Sequence, residues 1–299
     1  MGAGADWIPR FQRHLATERR LSPHTVCAYL RELEAFALWC RGQQLEDWTR
    51  IDGQHVRSFA ARSHAGGLQA RSVQRRLSAL RTFFSFLIRE GLLKNNPAIG
   101  IHAPKAGKRL PHTLDVDQMG ALLAMKPAGP LGVRDLAIME LFYSSGLRLA
   151  ELVGLDLGDL DLTDRTVRVL GKGSKARIMP VGALAVTALQ NWLRERAALA
   201  APGESAVFIA HRGRRLGARA VQLLVARHAR AQGLKVGVHP HLFRHSFATH
   251  ILKSSRDLRA VQELLGHASI STTQIYTHLD FQHLARIYES SHPRARRRR

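Results

Sequence analysis

The stretch His241-Leu-Phe-Arg-His-Ser-Phe-Ala-Thr-His250 lies within residues 241–252, whose pattern predicts a helix. On that helix His241 and Arg244 are three residues apart, so they share a face one turn apart and could address one phosphate together. The spacing alone does not require this. With 16 histidines in the chain, a His near an Arg is expected by chance, and His245 and His250 read equally well as helix-surface residues.

Outward from this helix, the second half of the chain is mostly helical. Runs at 115–125, 133–143, 183–199, 218–232, 257–265, 272–278 and 281–290 carry helical pattern, and a further short helix begins near Leu147. Thr166–Leu170 and Ala176–Val181 read as two short strands of a hairpin around the basic turn Gly171-Lys-Gly-Ser-Lys175. Toward the N-terminus, Trp7, Phe11 and Leu15, then Val26, Tyr29, Leu30, Leu33, Phe36 and Trp39, recur at helical spacing, with Ser22-Pro23 as an N-cap and first-turn proline. Val56–Ala60 and Val73–Ile88 complete a small helical domain. In the last run Arg71, Arg75, Arg76, Arg81 and Arg89 punctuate the apolar residues, either as a solvated face or as a surface for phosphates. Asn-Asn-Pro at 95–97 and the basic, turn-rich segment to Pro111 read as a linker. The expected organisation is a helical domain over 1–92, a basic linker over 93–111, a mostly helical catalytic domain with a small antiparallel sheet over 112–290, and a basic tail over 291–299. The fold class is mainly α.

The 299 residues carry 45 Lys/Arg against 23 Asp/Glu, a net charge of +22. The excess is spread, +10 over residues 1–111 and +12 over 112–299. Basicity in both halves points to a polyanion held by both, and nucleic acid is the commonest such partner. Cys27 and Cys40 lie in an apolar-periodic stretch without metal-ligand spacing and read as buried thiols of a reducing compartment. No run of apolar residues has the length of a membrane span, so the expected location is the cytoplasm, without membrane insertion.

Cleaving a phosphodiester takes a nucleophile, donors for the phosphoryl oxygens and an acid for the leaving oxygen, supplied by metal ions or by side chains. The densest acidic stretch, Asp156, Asp159, Asp161 and Asp164, alternates with leucines and reads as a turn or strand edge rather than a metal cluster. Arg148 follows Ser144-Ser145-Gly146-Leu147, where glycine ends one helix before the next begins, and its planar fork suits a phosphate. Lys172 sits in the hairpin turn as a candidate proton donor, with Lys175 as its competitor. His267 follows a helix that ends at Gly266, where it could face a cleft or simply favour the negative helix end. Of four tyrosines, Tyr29 and Tyr143 fall on apolar faces and Tyr288 lies on the last helix; Tyr276 lies in a polar segment where a phenol could be exposed. A phenol with an ordinary pKa near 10 is a poor nucleophile at neutral pH and needs cations beside it.

Taken together, Gly146-Leu-Arg-Leu-Ala-Glu-Leu152, Gly171-Lys-Gly-Ser-Lys-Ala-Arg177, His241-Leu-Phe-Arg-His-Ser-Phe-Ala-Thr-His250 and Leu265-Gly-His-Ala-Ser-Ile-Ser-Thr-Thr-Gln-Ile-Tyr276 resemble the tyrosine recombinases in order and spacing. Leu21-Ser-Pro-His-Thr25, Tyr143-Ser-Ser-Gly146, His278-Leu-Asp-Phe-Gln-His-Leu-Ala285 and His292-Pro-Arg-Ala295 are similar to the branch that resolves chromosome dimers. The resemblance implies that Arg148, Lys172, His241, Arg244 and His267 surround the scissile phosphate and that Tyr276 attacks it, giving a 3′-phosphotyrosyl bond and a 5′-hydroxyl without a cofactor or metal. It also implies a C-shaped clamp on double-stranded DNA at a specific dif-like site, a heterotetramer with a XerD-like recombinase in which C-terminal helix contacts are exchanged, and regulation by the FtsK translocase. A phage or integron integrase, or a DNA-binding protein without catalysis, are the alternative readings.

Overall fold

The computed structural model describes residues 7–104, 113–171, 176–234, 237–265 and 278–295. The chain divides into two compact units, Met1–Leu110 and Pro111–Arg299.

The first unit holds α1 (Trp7–Arg13), α2 (Pro23–Gly42), α3 (Gly53–Ala65) and α4 (Ala70–Arg89). Local chemistry sets the starts of α2 and α3. Ser22 Oγ accepts the Thr25 N–H with Pro23 at the first helical position, and Asp52 and His55 cap α3 reciprocally, carboxylate to N–H and ring nitrogen to N–H (3.0 and 3.2 Å). The core is aromatic: Phe36 meets Phe59 edge-on with ring centroids 4.9 Å apart, and Phe11 meets Phe83 at 5.2 Å.

Several arginines of α4 turn out to be structural. Arg75 and Arg76 converge on the buried Glu32 of α2 (2.7 and 2.8 Å), and Arg76 also donates to Ser63 Oγ. Burial pushes the Glu32 pKa up, but the hydrogen bonds from Arg76 and Arg75 outweigh it and hold the carboxyl below its ordinary range. Arg81 donates to the carbonyls of Ala98 and Ile101, and Asn96 bonds the Arg81 carbonyl and Ser85 Oγ (both 2.9 Å). Residues 96–101 therefore pack on α4, with Ala98 and Ile101 buried, where the sequence suggested linker. Arg81 replaces the missing periodicity by satisfying the carbonyls of an irregular segment. The remainder of the expected linker, 105–111, lies outside the described residues. Cys27 is exposed on α2, contrary to expectation, while Cys40 is buried and its thiol is pushed up to about 12 by that burial.

The second unit is built around α6 (Gly129–Ser145), which is buried almost continuously from Arg134 onward. Around it lie α5 (Val116–Leu123), α8 (Ala183–Leu199), α9 (Ala218–Ala231), α10 (Pro240–Ser255), α11 (Leu258–Leu265) and α12 (His278–Ser291), with the short α7 (Leu149–Gly154) following α6. The expected helix over 272–278 falls, but for His278, outside the described residues. β1 (Leu160–Asp161), β2 (Thr166–Leu170) and β3 (Ala176–Pro180) form an antiparallel sheet in that order, with Val169 opposite Arg177 and Val167 opposite Met179. The acidic stretch does serve turn and strand edge: Asp161 accepts the N–H groups of Thr163 and Asp164, Asp159 takes Arg168, and Asp156 takes Arg215 and Ser205.

The expected basic tail begins differently. Residues 292–295 are clasped into the unit: Arg294 pairs with the buried Glu140 of α6, and the Ala295 carbonyl accepts the first N–H of α8 (3.0 Å). His292 is buried among Tyr143, Phe247 and Tyr288. Its Nδ1 accepts the Arg294 N–H (3.2 Å), so Nε2 carries the proton toward the Tyr143 carbonyl (3.1 Å). The composition of 291–299 conceals this because only the tertiary fold supplies Glu140.

Burial pushes the His292 pKa down to about 3, so the folded state keeps the ring neutral where an unfolded chain, with a value near 6.5, takes a proton. Stability is thus lost as pH falls from about 6.5 toward 3, by up to roughly 1.4 kcal/mol per pH unit for this one group. Urea unfolding at pH 7 and pH 5 is expected to show a smaller pH dependence in His292→Gln than in the parent; equal dependence would remove His292 as the source.

Candidate active site

The site begins where α6 ends. Gly146 adopts the left-handed conformation (φ 58°, ψ 32°), and its N–H closes the helix on the Phe142 carbonyl (3.0 Å). A Cβ at this position would lie 2.5 Å from the Phe247 ring of α10, so the turn needs glycine for both backbone and space. The chain then reverses into α7 with Arg148 as the residue before its first turn.

Glu151, buried in that first turn, organises the arginines. Its carboxylate accepts the Arg148 backbone N–H (2.8 Å) and Arg148 Nη1 (2.7 Å), and it receives Arg177 of β3 through Nη1 and Nη2 (both 2.9 Å). Burial alone would raise the Glu151 pKa, but the hydrogen bonds from Arg177 and Arg148 outweigh it and keep the group below its ordinary value. Arg244 approaches from α10. Its Nη1 donates to the Gly146 carbonyl (2.6 Å) and its Nη2 to the Leu265 carbonyl, so one guanidinium joins the C-terminal ends of α6 and α11. A cation at two helix C-termini is favourably placed in both dipoles.

The cluster is over-supplied with positive charge. The Arg244 pKa is pushed down to about 10, first by burial and then by the charges of Arg148 and Arg177, with Glu151 opposing. Three guanidiniums thus share one carboxylate in a partly dry setting, which is an environment that favours an added anion. Arg148 is the more open member, its side chain 38% exposed against 12% for Arg177.

His241 is exposed at the second position of α10, on the face it shares with Arg244, and its ring lies 6.3 Å from that of His239. His245 is exposed, but His250 is not a surface residue: it is buried and shares a 2.8 Å hydrogen bond with the Tyr143 hydroxyl. Lys172, His267 and Tyr276 lie outside the described residues; the strand beginning at Ala176 and the helix ending at Leu265 bring the chain to within a few residues of the first two. Tyr143 and Tyr288 are buried, and that burial raises both phenols above the ordinary value. Tyr288 shares a 2.8 Å hydrogen bond with Ser144. Glu151 and Arg177 were given no role in reading the sequence. Glu151 stands three residues after the N-cap position of Arg148, which is the signal for a carboxylate reaching back to a helix start. Nothing local marks Arg177.

Residues 112–283 match the Phage integrase family and residues 8–91 match the Phage integrase, N-terminal SAM-like domain. The chain is 55% identical over 286 residues to a tyrosine recombinase XerC of Pseudomonas syringae pv. tomato, covering 95% of each, and 53% identical over 298 residues to one of Shewanella amazonensis, covering 100% of this chain and 99% of the relative. The chain belongs to the tyrosine recombinases of the phage integrase family. Its structure resembles that of XerH site-specific recombinase bound to difH substrate in a pre-cleavage complex (25% identity, TM-score 0.68, covering 94% of this chain and 93% of that one). It also shares its fold with a lambda integrase dimer bound to a core site (20% identity, TM-score 0.70, covering 92% and 100%). The recombinase is a site-specific DNA strand-exchange enzyme with the mainly helical fold and small antiparallel sheet expected from its pattern.

Gly146→Ala is expected to destabilise the recombinase by roughly 2–5 kcal/mol, through left-handed strain and the clash with Phe247. A urea midpoint equal to that of the parent would contradict the close approach.

Proposed function

We propose that this recombinase resolves chromosome dimers at a dif-like site on double-stranded DNA, paired with a XerD-like recombinase in a heterotetramer and regulated by an FtsK translocase in the cytoplasm. XerC relatives at 53–55% identity over nearly the whole chain support the branch. Among the described residues no helix is long and apolar enough to cross a membrane. In this reading the helical domain, 1–92, and the catalytic domain, 112–290, both bind DNA, consistent with positive charge in each.

The observation that carries the chemistry is the single guanidinium of Arg244 spanning Gly146 and Leu265 within the field of Arg148. It draws the residues before Arg148 and before His267 to one place. Arg148 and Arg244 then hold the phosphoryl oxygens. Tyr276 attacks phosphorus, a 3′-phosphotyrosyl bond forms as the bond to the 5′-oxygen breaks, Lys172 gives that oxygen its proton, and His241 and His267 assist by hydrogen bonding and proton transfer. The bond energy is retained, so attack by a 5′-hydroxyl reverses the step without a metal or cofactor. At pH 7 an ordinary phenol lies about 4 kcal/mol from its phenolate, a deficit that neighbouring cations are well suited to offset. The burial of Tyr143 and Tyr288 and the packing of the half-buried Tyr29 against the core of the first unit favour Tyr276 among the four tyrosines.

A nicked suicide duplex traps the covalent intermediate. The native chain is expected to form the adduct equally with and without EDTA, Tyr276→Phe to form none, and Arg244→Ala to form it roughly 100- to 1000-fold more slowly. An adduct that persists in Tyr276→Phe would exclude that nucleophile. Recombination of a plasmid carrying two dif-like sites is expected only when the second recombinase of the same genome is added. Complete recombination by this chain alone would exclude the pairing.

A further inference from the structure

The geometry points to Arg177 as a positioning residue for strand cleavage: it grips both oxygens of Glu151, which orients Arg148 and leaves that guanidinium's charge available to the DNA phosphate. The inference rests on the assignment of Arg148 and Tyr276 above.

Three observations carry it. First, the two arginines divide the work by depth. Arg177 lies behind Glu151, while the far more exposed Arg148 lies in front of it. Second, among the described residues Arg177 Nε is buried without a partner, although both terminal nitrogens are engaged. A guanidinium that leaves one donor unmet has its orientation set by the carboxylate it holds. Third, a lone Glu151–Arg148 pair would balance charge for charge, and a second guanidinium on the same carboxylate leaves an excess for an incoming anion. Arg177 also stands in β3 opposite Val169, five residues after Lys172 in the chain, so its fork ties that strand to the helix capped by Arg148. Lysine would reproduce this only in part, since an ammonium offers charge without a planar fork.

Among the described residues, the charged groups facing Glu151 are Arg148 at the start of its own helix, Arg177 from β3 and Arg244 from α10. Removing Arg177 leaves burial less opposed, so Glu151 takes up a proton at higher pH. A protonated Glu151 holds Arg148 poorly. The acid limb of the cleavage profile therefore moves to higher pH, an effect that a merely structural role for Arg177 would not produce.

The test is single-turnover cleavage of the nicked duplex by the full chain at saturating DNA across a pH series, alongside DNA affinity and circular dichroism. Arg177→Met is expected to cleave roughly 10- to 100-fold more slowly, with the acid limb moved upward and the Kd for DNA within about twofold of the parent. Arg177→Lys is expected to recover part of the rate. Cleavage by Arg177→Met at the parental rate, a loss explained by weaker DNA binding, or a slowing that is uniform in pH overturns the inference. Should Arg177→Met fail to fold, Arg177→Lys decides: a reduced rate with a displaced acid limb supports the role, and parental behaviour overturns it. The two readings fail separately. An adduct in Tyr276→Phe defeats the site assignment, whereas inactive Tyr276→Phe and Arg148→Ala beside a normal Arg177→Met defeat only the role of Arg177.

Discussion

Arg244 is the strut on which the catalytic unit is organised. Two helices, α6 and α11, end with carbonyl groups that their own turns do not satisfy, and one guanidinium from α10 meets both. A planar, permanently charged group is needed, because it must span two acceptors while partly buried and keep its charge there. The same contact requires α6 to stop sharply. Gly146 lets the backbone turn left-handed directly beneath the Phe247 ring, and the chain emerges with Arg148 at the head of the next helix. Helix termination, helix packing and the placement of Arg148 are thus one event.

The electrostatic character of the site follows from that arrangement. Arg148, Arg177 and Arg244 lie around the buried carboxylate of Glu151, and burial, reinforced by the charges of Arg148 and Arg177, brings Arg244 below the usual arginine range. Such a cluster is an environment that an added anion would relieve. Glu151 keeps the repulsion tolerable and fixes the geometry of its neighbours through four hydrogen bonds.

Not every positive charge in so basic a chain is directed at DNA. Arg75 and Arg76 satisfy Glu32, Arg81 satisfies the carbonyls of residues 98 and 101, and Arg294 satisfies Glu140. Arginine suits these tasks because its five donors can serve carboxylates and irregular backbone together, and its stem packs against apolar neighbours. The formal +22 already subtracts these carboxylates; what the pairings settle is which guanidiniums are engaged within the protein.

The amino-acid sequence by itself determined the helical periodicities, the cap at Ser22, the hairpin strands and the acidic strand edge, because these depend on neighbours within a few residues. Four ordered motifs were enough to identify the family. It could not show that Arg81 clasps an apparent linker, that Cys27 faces solvent, that His250 is buried against Tyr143, or that His292 and Arg294 leave the tail for the core. Each depends on a partner that is remote in the chain. The same holds for the site: Arg148 and Arg244 could be nominated from their motifs, but the pairing of Arg177 with Glu151 and of Arg244 with Gly146 and Leu265 exists only once β3, α7, α10 and α11 are folded together. Local periodicity encodes which face of an element is buried, and only tertiary packing decides which charges meet there.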